Sequence, residues 1–190
     1  MNYLFSLNTP LHSIFWAKEN TWLKQLWLIL TGVCVLAFAS QLSVPLKPVP
    51  LTFQSATVIL IGMAYGARRG AYVVAAYLLA GACGMPLFEG FSGGIVQFFG
   101  PTGGYLIGFL PAAFLSGYLA EKGFARNMIS SFLAACLGVS LIFLSGVTAL
   151  SLFVGWHQAL LLGVAPFVVS EVIKLIAVSA IIPRLWKKEV

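Results

Sequence analysis

Two ionisable residues inside an apolar stretch near the C-terminus are the strongest candidates for chemistry in this sequence. Glu171 and Lys174 occur in the run Ala165-Pro-Phe-Val-Val-Ser-Glu-Val-Ile-Lys-Leu-Ile-Ala177. Because they are three positions apart, both side chains lie on one face of a helix. A carboxylate and an ammonium side by side in a dry pocket can accept from and donate to one polar group of a ligand. The alternative is that the two charges only neutralise each other.

The rest of the sequence offers little for catalysis, metal binding or nucleotide binding. All five acidic residues are glutamates, and neither a His-Glu-x-x-His nor a Gly-x-Ser-x-Gly motif occurs. Residues 100–104 lack the spacing and the lysine of a phosphate-binding loop. The cysteines Cys34, Cys83 and Cys136 lie in separate apolar stretches, which argues against a zinc site or disulfides and favours small core residues. We expect no catalytic residue, no metal and no cofactor, with an intramembrane enzyme kept as an alternative.

The composition indicates what kind of protein must position the Glu171–Lys174 pair. Of the 190 residues, 60% are hydrophobic and 8% are charged, and the mean hydropathy is +0.97. Soluble domains carry about 25% charged residues, so the sequence predicts an integral membrane protein and excludes an ordinary soluble enzyme. The net charge of +6 comes from basic residues that lie mostly between apolar runs, where they orient a chain in the bilayer. We therefore expect the lipid bilayer as a partner and no nucleic acid.

Apolar runs bounded by proline, glycine or charge predict an all-α, polytopic protein with six transmembrane helices. A bilayer core of about 30 Å requires about 20 apolar residues for each helix. The predicted helices span residues 22–41, 54–66, 70–84, 103–121, 127–155 and 158–184. We interpret residues 1–190 as one domain, with residues 1–20 as a short lead-in rather than a signal peptide. Two series of glycines spaced by four predict close helix packing: Gly62, Gly66 and Gly70, and Gly100, Gly104 and Gly108.

The basic residues predict the orientation, because short cytoplasmic loops retain an excess of lysine and arginine. With six spans and both termini cytoplasmic, nine of the eleven basic residues fall on the inner side, Lys47 alone falls on the outer side, and Lys174 lies within the membrane. The inner residues are Lys18, Lys24, Arg68, Arg69, Lys122, Arg126, Arg184, Lys187 and Lys188.

The two long outer loops are predicted to cover a pocket. The first, residues 43–54, contains three prolines and should be extended and stiff. The second, residues 84–104, mixes glycines with aromatic residues and ends at Thr102, a predicted N-cap for the next helix. Irregular backbone at a membrane must be buried in protein or line a cavity. Since both loops are apolar, we expect them to fold back over the helices.

Several motifs resemble those of one transporter family, over residues 41–174. They are Pro48-Val-Pro-Leu-Thr-Phe-Gln54, Gly84-Met-Pro-Leu-Phe88, Gly93-Gly94, Gly100-Pro-Thr-Gly-Gly-Tyr-Leu-Ile-Gly-Phe109, and Pro166-Phe167 followed by Glu171 and Lys174. In this order the motifs resemble the BioY family, the biotin-specific substrate-binding (S) subunits of energy-coupling-factor transporters. The resemblance implies high-affinity biotin capture and uptake across the cytoplasmic membrane of a prokaryote, with the first outer loop as a lid. A subunit for another small vitamin is the alternative.

The resemblance also implies which residues bind the ligand. Glu171 would accept from a ureido N–H of biotin, and Lys174 would donate to its carbonyl or carboxylate. The glycine-rich backbone would approach the ligand closely, and aromatic side chains would form apolar walls. The expected substrate-binding residues are Glu171, Lys174, Gly100, Thr102, Gly103, Gly104, Tyr105, Phe53, Phe88 and Phe91, with Phe98 and Phe99 as further walls.

Two departures from the family pattern bear on the site and on the partners. Where the family has Pro-Gly-Asp on the sixth helix, this chain has Val169-Ser170-Glu171, which makes the carboxylate one methylene longer. The first helix lacks the strict alanine-x-x-x-alanine pattern by which such subunits contact a transmembrane coupling subunit. The resemblance implies that coupling subunit and ATPase subunits as partners, and a solitary transporter is the alternative.

Overall fold

The computed structural model describes residues 22–186, in which seven α-helices form a membrane-protein bundle. Predictions on residues 1–20, Lys187 and Lys188 lie outside this range. Two short strands, β1 (Ser43–Val44) and β2 (Leu51–Thr52), pair antiparallel in the first outer loop, with Ser43 opposite Thr52. The helices are α1 (Trp22–Gln41), α2 (Gln54–Tyr65), α3 (Ala67–Ala82), α4 (Gly103–Glu121), α5 (Met128–Val154), α6 (Trp156–Gly163) and α7 (Val168–Trp186).

Most predicted helix boundaries agree with the structure, and the start of α3 is the main difference among the first five helices. α3 begins at Ala67, three residues before the predicted start. Gly66, with a φ of 84°, separates it from α2. The backbone N–H of Ala67 donates to Glu121 Oε1 at 2.9 Å. This carboxylate at the end of α4 therefore satisfies an N–H at the beginning of α3, which extends the helix toward Gly66.

The prediction of one continuous helix over residues 158–184 is wrong. The structure has two helices there, α6 and α7, whose axes differ by 49°. The break contains Pro166, which lacks an N–H and disfavours helical backbone at the preceding residue, Ala165. The break lets α7 begin near the start of α2, and this places Glu171 in the interior of the bundle.

The short helix α2 lies in the centre of the bundle and determines the depth of the site. Nine of its 12 residues are buried. A Cβ on Gly62 would lie 2.4 Å from the carbonyl oxygen of Ala113 in α4, and Gly70 of α3 also packs closely against Gly62. At 1.5 Å per residue α2 is about 18 Å long, shorter than a bilayer core of about 30 Å. Its first residues, Gln54 and Ser55, are polar groups buried within the bundle.

By length and composition alone, two helices of the described range can each cross a membrane, and a bent pair can form a third crossing. These are α4, α5 and the pair α6–α7. The apolar helix α2 is shorter, because the first outer loop enters the bundle before it. The number of six spans and the side of each terminus stay predictions.

Five basic residues of the described range lie at one end of the bundle. The Ala67–Glu121 hydrogen bond brings the α2–α3 connection to the end of α4. Trp186 at the end of α7 donates to the carbonyl of Met63 at 3.3 Å. Lys47 and Glu89 lie in the outer loops, beyond the opposite ends of the helices. This arrangement agrees with the orientation predicted from the charges. The residues at the basic end are Arg68, Arg69, Lys122, Arg126 and Arg184.

Thiol labelling in intact cells tests this orientation. A cysteine in place of Lys47 is expected to react with a membrane-impermeant reagent added outside, and a cysteine in place of Lys122 only after permeabilisation. The background must lack the native cysteines, because Cys34 and Cys83 are exposed, contrary to the prediction of core residues. Reaction of both engineered positions from outside would contradict the predicted topology.

Candidate ligand-binding site

Glu171 and Lys174 form a buried ion pair between α7 and the beginning of α2. Their side chains are 7% and 6% exposed, respectively. Lys174 Nζ donates to Glu171 Oε1, to Ser55 Oγ at 3.0 Å and to the carbonyl oxygen of Thr52 at 2.8 Å. The hydroxyl of Ser55 donates to Glu171 Oε1 at 2.8 Å. The three donors of the ammonium group are thus all used within the protein.

The second carboxylate oxygen of Glu171 is left without a partner. Glu171 Oε2 is buried and accepts no hydrogen bond within the described residues. A buried acceptor without a donor is costly, and in a native site it calls for an explanation. Glu171 is one of the residues that line a cavity. The geometry therefore offers one charged acceptor to a ligand that carries an N–H or O–H group.

The cavity has a volume of about 430 Å³, within the usual range for small-molecule sites. Its roof consists of residues 45–50 of the first outer loop, as expected from the apolar character of that loop. Its rim comes from the second outer loop, and its floor from α2, α4, α5 and α7. Beyond the roof, the cavity is lined by Thr52, Gln54, Ser55, Phe88, Glu89, Ser92, Gln97, Pro101, Thr102, Tyr105, Leu106, Phe109, Ile142, Phe143, Phe167 and Glu171.

Aromatic contacts fix one wall of this cavity. The ring of Phe143 lies 6.1 Å from that of Tyr105, edge to face, and 6.1 Å from the tilted ring of Phe167. The hydroxyl of Tyr105 donates to the carbonyl of Gly163 at 2.9 Å, at the end of α6. Such aromatic pairs add about 0.5–1.5 kcal/mol beyond area burial. The wall is thus held by α4, α5, α6 and the beginning of α7 together.

A hydrogen-bond network ties the two outer loops to the helices beneath them. Gln41, at the end of α1, donates to the carbonyl of Phe88 at 3.0 Å and accepts from the N–H of Phe91 at 3.0 Å. Gln54 donates to the hydroxyl of Tyr77 at 2.5 Å, and that hydroxyl donates to the carbonyl of Leu87 at 2.9 Å. Both ends of the first loop are therefore anchored.

The structure brings four of the ten predicted site residues to the cavity wall. These are Glu171, Thr102, Tyr105 and Phe88. Thr102 occupies the N-cap position of α4, as predicted, although its side chain makes no capping hydrogen bond. Lys174 lies behind Glu171 and does not line the cavity.

The other five predicted residues lie near the cavity but serve other contacts. The ring centre of Phe53 is 5.9 Å from Lys174 Nζ, a cation–π distance. Phe91 is 71% exposed. A Cβ on Gly103 would lie 2.0 Å from the carbonyl oxygen of Phe98, and one on Gly104 would lie 2.4 Å from that of Ser145. These two glycines allow close backbone packing, whereas a Cβ on Gly100 would make only ordinary van der Waals contact, 3.7 Å from the carbonyl oxygen of Gln97.

Sequence reasoning missed several residues that line the floor. The sequence marks Ser55 and Gln54 only weakly as site residues, since they are polar residues at the start of an apolar helix. Nothing in the sequence marks Phe109, Ile142 or Phe143, because an apolar residue that faces a cavity cannot be distinguished from any other in an apolar helix. No group of three or more His, Cys, Asp or Glu residues in the range 22–186 could hold a metal ion.

Comparisons with known proteins point to one family. The model of the BioY family matches residues 11–189. A "Probable biotin transporter BioY" of Pyrococcus horikoshii is 39% identical over 162 residues, covering 85% of this chain and 96% of the relative. The "Biotin transporter BioY" of Thermotoga maritima is 39% identical over 167 residues, covering 86% and 97%.

One solved structure has the same fold as this chain. It is the S-component for biotin from an ECF-type ABC transporter, and the TM-score is 0.80 at 27% identity. The match covers 90% of this chain and 94% of the solved chain. The alignment thus includes nearly all of both chains.

Proposed function

The chain belongs to the BioY family, and from this premise we propose that it binds biotin from the outer side of the cytoplasmic membrane of a prokaryote. In this proposal it is the substrate-specific subunit of an energy-coupling-factor transporter. The observation that carries the proposal is the unpartnered Oε2 of Glu171, a residue that lines a largely apolar cavity beneath the first outer loop. Biotin is the cargo, and the binding step uses no cofactor and no catalytic residue.

The chemistry of biotin suits this cavity. Its bicyclic ring is apolar apart from a ureido group, which carries two N–H donors and one carbonyl. One of these N–H groups can donate to Glu171 Oε2, while Phe109, Phe143 and Phe167 surround the ring. A site that places a charged acceptor in an apolar pocket loses much affinity when the ligand lacks the matching donor.

Ligand identification and an analogue series test the proposal. The protein is extracted in detergent, co-purifying small molecules are identified by mass spectrometry, and biotin binding is measured by calorimetry. We expect stoichiometric biotin, and a Kd at least about a hundredfold higher for an analogue with both ureido nitrogens methylated. A different co-purified vitamin, or equal affinity for the methylated analogue, would contradict the assignment.

We also propose that uptake requires a transmembrane coupling subunit and ATPase subunits. Support comes from the structural neighbour, which is a component of an ECF-type ABC transporter. α1 also carries exposed apolar side chains that a membrane partner could cover, among them Trp27, Leu30, Val35 and Phe38. In a host without coupling subunits, the chain alone should bind biotin without accumulating it. Accumulation in that host would show that the chain transports alone.

The first outer loop is proposed as the gate of the cavity. Its ends are held at Gln41 and Gln54 by side-chain hydrogen bonds, and the segment between them forms the roof. Prolines stiffen this segment, so it should move as one flap. The second outer loop continues directly into α4, which leaves it less freedom.

Cross-linking the flap should slow ligand exchange. A thiol cross-linker between cysteines in place of Leu46 and Phe91 is expected to slow biotin association and dissociation together, with a much smaller change in equilibrium affinity. Stopped-flow measurements before and after cleavage of the linker provide the matched control. Unchanged rates, together with equal spin-label distances between these positions with and without biotin, would exclude this loop as the gate.

A further inference from the structure

The charges that line the cavity are unevenly placed. The deep end holds Glu171, whose partner Lys174 is occupied by three protein acceptors and does not line the cavity. The mouth holds Glu89 and Lys47, one in each outer loop. Among the described residues that line the cavity, Lys47 is the only lysine or arginine.

Lys47 also has no partner in the described part of the chain. Its side chain is exposed and makes no hydrogen bond or ion pair with any residue in the range 22–186. Glu89, the nearby acid, instead accepts from the hydroxyl of Ser43 at 3.1 Å. The roof therefore carries one positive charge without a protein partner, on a residue that lines the cavity.

A ligand with a neutral polar head and an anionic tail can satisfy this arrangement in one direction only. A carboxylate near Glu171 Oε2 would meet a like charge at a buried site, which is strongly unfavourable. At the mouth, where solvent screens the charge of Glu89, the same carboxylate can pair with the ammonium group of Lys47. The charge distribution thus points the donor end of the ligand inward and its anionic end toward the roof.

We propose that Lys47 is a specificity residue that binds the free carboxylate of the ligand and so selects the free acid over neutral esters and amides. This inference rests on the proposed function, since it takes biotin as the ligand. Lys47 lies on the loop proposed as the gate, so its contact with the carboxylate also holds the roof over an occupied cavity. Lys174, in contrast, acts by holding Glu171 and Thr52 in place.

Comparing the affinity for the free acid with the affinity for a neutral derivative tests the proposal. The full chain in detergent is titrated with biotin and with biotin amide, which keeps the ureido ring and removes the negative charge. We expect biotin to bind about tenfold more tightly, the lower end of the range for a hydrogen bond between charged groups, because Lys47 lies at a solvent-exposed mouth. The preference should shrink as salt is raised from about 0.1 M to about 1 M.

Three variants distinguish an effect of the positive charge of Lys47 from an effect on the fold. Lys47→Gln should lower the affinity for biotin about tenfold and leave the affinity for biotin amide within about twofold of the wild-type value. The preference for the free acid over the amide would then disappear. Lys47→Arg keeps the charge and should keep the preference. Lys122→Gln makes the same change in net charge at the other end of the bundle and should change neither Kd.

Each outcome decides the question. A preference that survives in Lys47→Gln, or a wild-type protein that binds acid and amide equally, overturns the role of Lys47 and leaves biotin binding intact. Failure of the wild type to bind any biotin derivative overturns the proposed function itself. If Lys47→Gln does not fold, a wild-type preference that is independent of salt still overturns the proposal.

Discussion

Replacing Glu171 with glutamine is expected to raise the Kd for biotin roughly tenfold to a hundredfold, about 1.5–3 kcal/mol for a lost hydrogen bond to a charged acceptor. Glu171 Oε2 is the buried acceptor that no protein donor satisfies among the described residues, and Glu171 lines the cavity, so we expect this atom to accept the ligand's hydrogen bond. Lys174→Ala should weaken binding by a similar amount, because Lys174 holds Glu171, Ser55 and Thr52 in position. Calorimetry on detergent-solubilised protein measures both effects.

A double variant separates the binding role of this pair from its role in stability. Either single change leaves a buried charge unpaired, which costs about 3–5 kcal/mol of folding free energy. Glu171→Gln combined with Lys174→Met removes both charges, and replacing a buried ion pair in this way is often neutral for stability. We therefore expect thermal unfolding of the double variant near that of the wild type, with biotin binding still lost. Normal biotin affinity in the double variant would mean that the two charges only neutralise each other.

The sequence predicts the existence of this pair but not the different roles of its members. The spacing of Glu171 and Lys174 places both on one face of a helix, and the structure shows them in contact. Which of the two lines the cavity depends on Ser55 and Thr52, more than one hundred residues earlier in the chain. Local sequence holds no information about these partners, because they are brought together only when α2 packs against α7.

Helix bounds, too, could be predicted where they depend on local sequence and not where they depend on distant residues. The end of α1 and both bounds of α4 could be predicted because proline, glycine or charged residues interrupt the apolar runs there. The start of α3 could not, since it depends on Glu121 of another helix. The break between α6 and α7 had a local signal in Pro166, but a single proline in an apolar run does not distinguish a kink from the end of a helix.

The aromatic walls show where composition alone stops being informative. Phe53, Phe88 and Phe91 lie in loop motifs and were all expected at the site, yet only Phe88 lines the cavity. Phe143 and Phe167 complete the wall from α5 and from the break before α7. A glycine-rich loop allows many directions for a side chain, so the direction is determined by contacts such as that of Gln41 with Phe91.

Two glycines of α4 connect helix packing to the ligand site. A Cβ on Gly104 would lie 2.4 Å from the carbonyl oxygen of Ser145 in α5, a distance that real Cβ contacts essentially never show. A Cβ on Gly108, one turn later, would lie 2.1 Å from Ser145 Oγ. The space that these glycines leave lets α4 and α5 approach closely and places Tyr105 against Gly146, beside the cavity.

Replacing Gly104 with alanine is therefore expected to lower the free energy of unfolding by about 1–3 kcal/mol, because a backbone carbonyl cannot move aside and the two helices must separate. Biotin affinity should fall with it, since Tyr105 moves with α4. Gly100→Ala is the matched control for stability: it makes the same substitution four residues earlier, in the segment before α4, where the nearest atom is 3.7 Å from the added Cβ. Its unfolding free energy should stay within about 0.5 kcal/mol of the wild-type value. Thermal unfolding in the same detergent compares the stability of the two variants. Equal stability would show that contact between α4 and α5 at Gly104 does not hold the wall of the site.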